Sequence, residues 1–259
     1  MKAKSTLPMR RARLQGGFTL VELSVATLIG LFLLGGLLTI VQDMRRTFTN
    51  QNQMSQMQDS ERLAMTLITD VVQEAGYFPD PTLETLSGAM LNTPPFTAGS
   101  GQAIAGTHNA AAPGDTLSVQ FKTAPNDGVI NCRGTSNTSG ANQVFVSKFS
   151  VTGAGPAATL NCTLGGTLGV NAPIALVSGI TNLQVLYGVK TNFALANDNA
   201  DTYLNAAQMT ASNWQSIICV KVTITFDNSV LAKSQPGQPA TVAFTRVITV
   251  MMNGGVNTA

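Results

Sequence analysis

Between Phe18 and Val41 the chain runs for 24 residues with a single charge, Glu22, and it holds no second apolar run of that length. As a helix this stretch would extend about 36 Å at about 1.5 Å per residue, enough to cross a bilayer core of about 30 Å. Five basic residues, Lys2, Lys4, Arg10, Arg11 and Arg13, precede it with no acid among them, and Asp43 is the first charge beyond it. Positive charge held back on one side is expected to keep residues 1–17 cytoplasmic and to send the rest to the periplasm or exterior. Only one segment of the chain can then be membrane-embedded.

Charge and composition narrow what the exported part can do. Of 259 residues, 11% are charged and 44% hydrophobic, and the net charge of +2 is too small for a solvated, disordered chain. Loss of the five leader charges would turn +2 into −3. Residues 77–259 carry seven bases and seven acids, so no basic surface for nucleic acid is expected there. Beyond the leader, the adjacent basic pair Arg45-Arg46 falls at the membrane exit and reads as an interfacial anchor.

A secretory signal carries its small-residue cleavage site after the apolar run, and none follows here. Instead Gly16 and Gly17 stand before it, and Gly17-Phe18-Thr19-Leu20-Val21-Glu22 joins the basic leader to the apolar segment. This string resembles the type IV prepilin signature. The resemblance implies cleavage after Gly17 by a membrane prepilin peptidase and N-methylation of Phe18. Glu22, fifth after the cut, would be costly in hydrocarbon at about 2.5–3.5 kcal/mol without a partner. Cleavage creates one, the Phe18 ammonium, and the resemblance implies that Glu22 pairs with the first residue of a neighbouring subunit, so that a buried acid sets register.

Past Val41 the helical period continues but becomes amphipathic. Met57, Ala64, Leu67, Ile68, Val71 and Ala75 recur at three- and four-residue steps, with Asp59, Glu61, Arg62, Asp70 and Glu74 elsewhere on the wheel. Gly76 followed by Pro79 and Pro81 supplies the stop. A helix from Phe18 to Ala75 would reach about 87 Å, so its second half is expected to dock on the chain's own core. Gly30, Gly35 and Gly36 are expected to allow close helix packing or local unwinding. Residues 88–114 read as a long loop. Alternation then predicts strands around Leu117–Phe121, Phe145–Val151, Leu183–Val189, Ile218–Phe226 and Val242–Met252, the last three as an antiparallel meander. The expected fold class is α+β: leader 1–17 removed, a long N-terminal helix over 18–76 with 18–41 transmembrane, and a β-rich globular domain over 77–259 in which the helix packs on one antiparallel sheet with long loops.

Four stretches together resemble PilW-type minor pilins: Gly17–Gly36, the helix exit Asp70–Phe78, Gly179–Val189, and Trp214 with Ile217–Val222. The resemblance implies a structural subunit that primes type IV pilus assembly, with a place near the tip. The implied partners are other minor and major pilins, the prepilin peptidase and the inner-membrane assembly platform. It implies an inner-membrane protein with a periplasmic C-terminal domain before assembly, and a pilus subunit at the cell surface afterwards. A type II secretion pseudopilin of the GspJ kind would share the anchor, and an adhesin presenting residues 88–114 is a further alternative. Relatives often carry an acidic run after the Tyr187-Gly188-Val189 segment, which Lys190 and Phe193 interrupt here.

Reactive groups are few. Three pairings of Cys132, Cys162 and Cys219 are possible. Cys132 with Cys162 is the expected disulfide, since Cys219 falls within a strand, and it would stabilise a loop-rich region by about 3–4 kcal/mol. Cys219 is expected to be free, on the face shared with Lys221 and Thr223. Asn197, Asp198, Asn199 and Asp201 gather oxygen ligands of the kind calcium takes, without EF-hand spacing, and a solvated turn is expected. His108, near only Asp115 in sequence, reads as a loop histidine. No catalytic residue, cofactor or metal is expected, and the chain is not expected to be an enzyme.

Overall fold

The computed structural model describes residues 17–96, 101–167, 169–192, 194, 199–234 and 237–251. The chain divides at Gln51/Asn52 into two compact units. Helix α1 (Leu20–Gln73) runs through both.

In the first unit the apolar side chains of α1 are exposed around the whole wheel, from Leu20 through Leu28 and Phe32 to Leu38 and Ile40. A helix that is hydrophobic all round is stable only where something apolar surrounds it. It is long and apolar enough to cross a membrane. Its hydroxyls are turned inward: Ser24 donates to Val21 O (2.8 Å), Thr27 to Ser24 O (2.9 Å) and Thr39 to Gly36 O (2.7 Å). Each hydroxyl thereby satisfies itself without water. The helix is unbroken at Gly30, Gly35 and Gly36, so unwinding there is not a property of this conformation.

In the second unit α1 turns amphipathic and buries Met57, Ala64, Met65, Ile68, Val71 and Val72. These residues join side chains of two sheets in one core cluster. The α-helix ends at Gln73, short of the expected Gly76, because Ala75 N bonds back to Val72 O (3.2 Å) and Tyr77 N to Glu74 O (2.9 Å). Gly76, at φ +74°, then turns the chain. Gly76 N donates to Gln120 O and Lys122 N to Tyr77 O (2.9 and 2.8 Å), which ties the exit to the neighbouring strand.

A short helix, α2 (Leu86–Ala89), leads into β1 (Ile104–Thr107), β2 (Thr116–Thr123), β3 (Gln143–Thr152), β4 (Thr159–Gly166) and β5 (Ile174–Ser178). These five strands form an antiparallel sheet in chain order. The second sheet holds β6 (Ile180–Val189), β7 (Thr202–Leu204), β8 (Ile217–Asp227) and β9 (Thr241–Thr249), ordered β7-β6-β8-β9. Helices α3 (Ala211–Gln215) and α4 (Ser229–Ser234) flank β8. The class is α+β.

Three expectations are corrected. There are two sheets instead of one, because β1, β4 and β5 enlarge the first and leave β6 to open a second. The predicted 88–114 loop contains β1 and the end of α2. The strand through Leu117, Val119 and Phe121 is buried on both faces, since Ser118 and Gln120 are buried too. The second face closes because Gln120 accepts from Leu91 N (3.0 Å) and donates to Gln102 O (2.6 Å), which lashes the preceding segment across it. The β6-β8-β9 meander is present, with β7 added at its edge.

One residue carries the chain from the first sheet to the second. Gly179 lies between β5 and β6 at φ +83°, donates to Ala158 O (2.7 Å) and accepts from Asp227 N (2.9 Å). A side chain is disfavoured at that φ, so glycine suits the corner. Farther along β6, Tyr187 is fully buried and meets Trp214 of α3 edge-on, ring centroids 4.8 Å apart.

Candidate functional site

The N-terminal segment begins outside the helix. Thr19 caps α1: its Oγ1 accepts from Glu22 N (3.2 Å) and its carbonyl from Leu23 N (3.1 Å). Gly17 and Phe18 therefore lie before the first turn, outside the helix, Phe18 85% exposed, and a Cβ built on Gly17 would meet nothing within 4 Å. Glu22 stands in the first turn, exposed, four residues from Phe18. Gly16 and the basic leader lie outside the described residues.

Cys132 and Cys162 are joined, with Cα atoms 6.0 Å apart. Cys132 belongs to the irregular segment between β2 and β3, as expected of a loop-rich region, whereas Cys162 belongs to β4. Cys162 is paired opposite Phe149 inside the first sheet, and both cysteines are buried in the core cluster. The bridge thus fastens the excursion between β2 and β3 onto the sheet, where Cys132 N also donates to Ser147 Oγ (3.2 Å). Cys219 is free and buried. It does point to the Lys221 and Thr223 side of β8, and it is covered there by Tyr203 of β7, whose hydroxyl lies 3.5 Å from Sγ.

His108 and Asp115 are brought together, Nδ1 to Oδ1 2.9 Å. Asp115 is buried, and its carboxylate also accepts from Asn109 N (2.8 Å) and Val185 N (2.7 Å). Next to it, Gly114 bridges to Leu183 and Asp115 N donates to Leu183 O (2.7 Å). The pair acts as a clamp between the β1–β2 connection and β6.

Asn197 and Asp198 lie outside the described residues. Asp201 spends its carboxylate on Asn192 N (2.7 Å), Thr191 N (2.9 Å) and Thr191 Oγ1 (2.8 Å). Those bonds, led by the one from Asn192, hold its pKa down to about 2. Among the described residues no three His, Cys, Asp or Glu side chains gather around a metal-sized space.

One feature of the site gave no signal in the sequence. Beneath the end of α1 opens a cleft of about 610 Å³, walled by Tyr77, Phe78, Pro81, Val129 and Ile130, with Asp70 and Glu74 on its rim. Glu74 Oε2 is buried without a hydrogen-bond partner. Burial, then the charge of Asp70 one turn back, raises the Glu74 pKa from 4.5 to about 7; Asp127 adds to the push and a hydrogen bond from the Ile130 backbone opposes it. The helical wheel places Glu74 with the solvated charges, because part of the wall beside it, Val129 and Ile130, comes from more than fifty positions away.

Residues 145–251 match the family model described as Type IV Pilus-assembly protein W. Over this range the chain is similar to that family. The matched range runs from β3 through β9 and so takes in the corner at Gly179, the Tyr187–Trp214 contact and the whole second sheet. Among solved structures, the type IV-like pilin TTHA1219 from Thermus thermophilus is similar, at 12% identity and a TM-score of 0.42, over 76% of this chain and 96% of that one. No curated protein matches the sequence.

Proposed function

We propose that this chain is a minor pilin that primes assembly of a type IV pilus and takes a place near its tip. The observation that carries the reading is the PilW family match over residues 145–251 of a chain whose apolar helix begins within Gly17-Phe18-Thr19-Leu20-Val21-Glu22. In this reading residues 18–41 hold the subunit in the inner membrane with its globular domain in the periplasm. The prepilin peptidase cuts after Gly17 and methylates Phe18. The subunit then leaves the bilayer through the assembly platform, its exposed apolar helix exchanging lipid for the helices of other minor and major pilins. Glu22 supplies the charge that pairs with a neighbour's amine and sets the axial register. The role is structural rather than enzymatic.

The test is a pilus count by electron microscopy in a strain lacking the chain. Loss of fibres, restored by the intact gene, is the expected result. Normal fibres with lost adherence would favour an adhesin. Normal fibres with failed protein secretion would favour a secretion pseudopilin.

A further inference from the structure

The cleft under the end of α1 combines features that together specify an occupant. Its walls are apolar and aromatic, while the charges that line it are both negative, Asp70 in the last turn of α1 and Glu74 just after it, and Asp127 of the segment after β2 adds its charge from outside the lining. The carboxylate of Asp127 is held by Ala124 N and Val129 N (2.8 and 3.0 Å), which fixes it in place without neutralising it. The basic group close by in the fold, Lys122, is committed to Glu84 with Nζ 2.6 Å from both oxygens. What remains is one carboxylate oxygen, Glu74 Oε2, buried without a hydrogen-bond partner. A buried acceptor beside two further acids calls for a cation with an apolar stem.

We propose that this cleft receives a lysine or arginine side chain, carried on an apolar segment, from another pilin subunit. The proposal rests on the pilus reading above and adds to it the surface and the chemistry of one contact. The chain's own segment 252–259, which follows Met251 at the cleft mouth, contains no basic residue and cannot supply the charge. The contact differs from the pairing of Glu22 in position and in partner group, since it is made by the globular domain with a side chain. Entry of the cation also favours the ionised form of Glu74, so the contact strengthens as pH rises from 6 to 8.

The test is photocrosslinking in cells at native expression, with a benzophenone side chain in place of Ile130, which is 40% exposed at the cleft wall. A second strain carries it in place of Tyr77, 42% exposed, in case the first variant does not fold. The expected adduct joins a pilin at a point within a few residues of a lysine or arginine. Glu74→Gln combined with Asp70→Asn should cut its yield at least fivefold, while Glu74→Asp retains most of it. An adduct insensitive to those charges would overturn the proposal, as would an adduct to residues 252–259 of the same chain or to a protein that is no pilin. So would the absence of any adduct from both strains in cells bearing normal fibres. The pilus reading fails by a different result, normal fibres in the deletion strain.

Discussion

Glu74 shows how far a single side chain can depart from its place on a wheel. In sequence it sits with Asp70 on the polar side of α1; in the fold one of its oxygens is buried and its pKa rises to about 7. An acid whose folded pKa is raised above the unfolded value favours the folded state fully below about 4.5, and that advantage is lost as pH rises through about 7. Glu74→Gln should therefore raise the melting temperature at pH 8 and leave it nearly unchanged at pH 4.5, read by circular dichroism; equal shifts at both pH values would mean the charge is not the cause. The cysteines give a second prediction at this scale. Cys132→Ser and Cys162→Ser should each destabilise by about 3–4 kcal/mol, with no further loss in the double variant, because either removes the same closed loop. Urea titration measures it, and additive losses would contradict a single bond. The stripe of Ile68, Val71 and Ala75 was legible from its spacing, whereas Met65 and Val72 were not: two sheets instead of one widen the face that α1 must bury.

Strands with clean alternation could be read directly, as in β2, β6, β8 and β9. Those without it could not. In β4, Thr159–Gly166, small and polar residues such as Asn161, Thr163, Gly165 and Gly166 blur the period, and β7 spans only three residues. The deeper reason is that β4 is held between β3 and β5, so its place comes from neighbours and less from its own pattern. The clamp between the β1–β2 connection and β6 is likewise invisible in sequence, since Asp115 and Val185 lie seventy positions apart. Asp115→Ala leaves the buried Val185 N–H, the Asn109 N–H and His108 without their acceptor, and a loss of about 3 kcal/mol is expected. Asp115→Asn, which keeps one acceptor oxygen, should cost less. Chemical denaturation of both variants checks the order, and equal losses would show that hydrogen bonding at this point is not what holds the connection.

At the scale of the whole molecule the chain has one half that needs lipid or neighbouring subunits and another that folds around its own core. The apolar first half of α1 was fully legible because a long run with a single charge leaves few physical alternatives. The Glu74 cleft was not, because its walls come from α1, the segment after it and the loop following β2. The assembly reading makes a prediction here. Mass spectrometry of the membrane-extracted protein should find a chain beginning at methylated Phe18, and an intact leader in a strain with active peptidase would contradict it. Glu22→Ala and Glu22→Gln should both be processed and membrane-held, yet fail to restore fibres to a deletion strain. Full fibre numbers from both would mean that the N-terminal charge is dispensable.

The order in which the core is completed bears on how the protein is made. Helix α1 leads the chain, but its apolar face is covered by strands that end only at β9, so the helix is made well before its cover exists. Pairings this distant in sequence form slowly, and the half-built second sheet offers β8 an open edge until Thr241–Thr249 arrives. In the assembly reading proposed above, the nascent domain is then a substrate for periplasmic chaperones and proteases for most of its export. In a pulse-chase experiment protease resistance should appear in one step after the last strand has emerged, and a chain stopped at about residue 240 should be degraded; stepwise protection from the helix onward would show that α1 finds cover earlier.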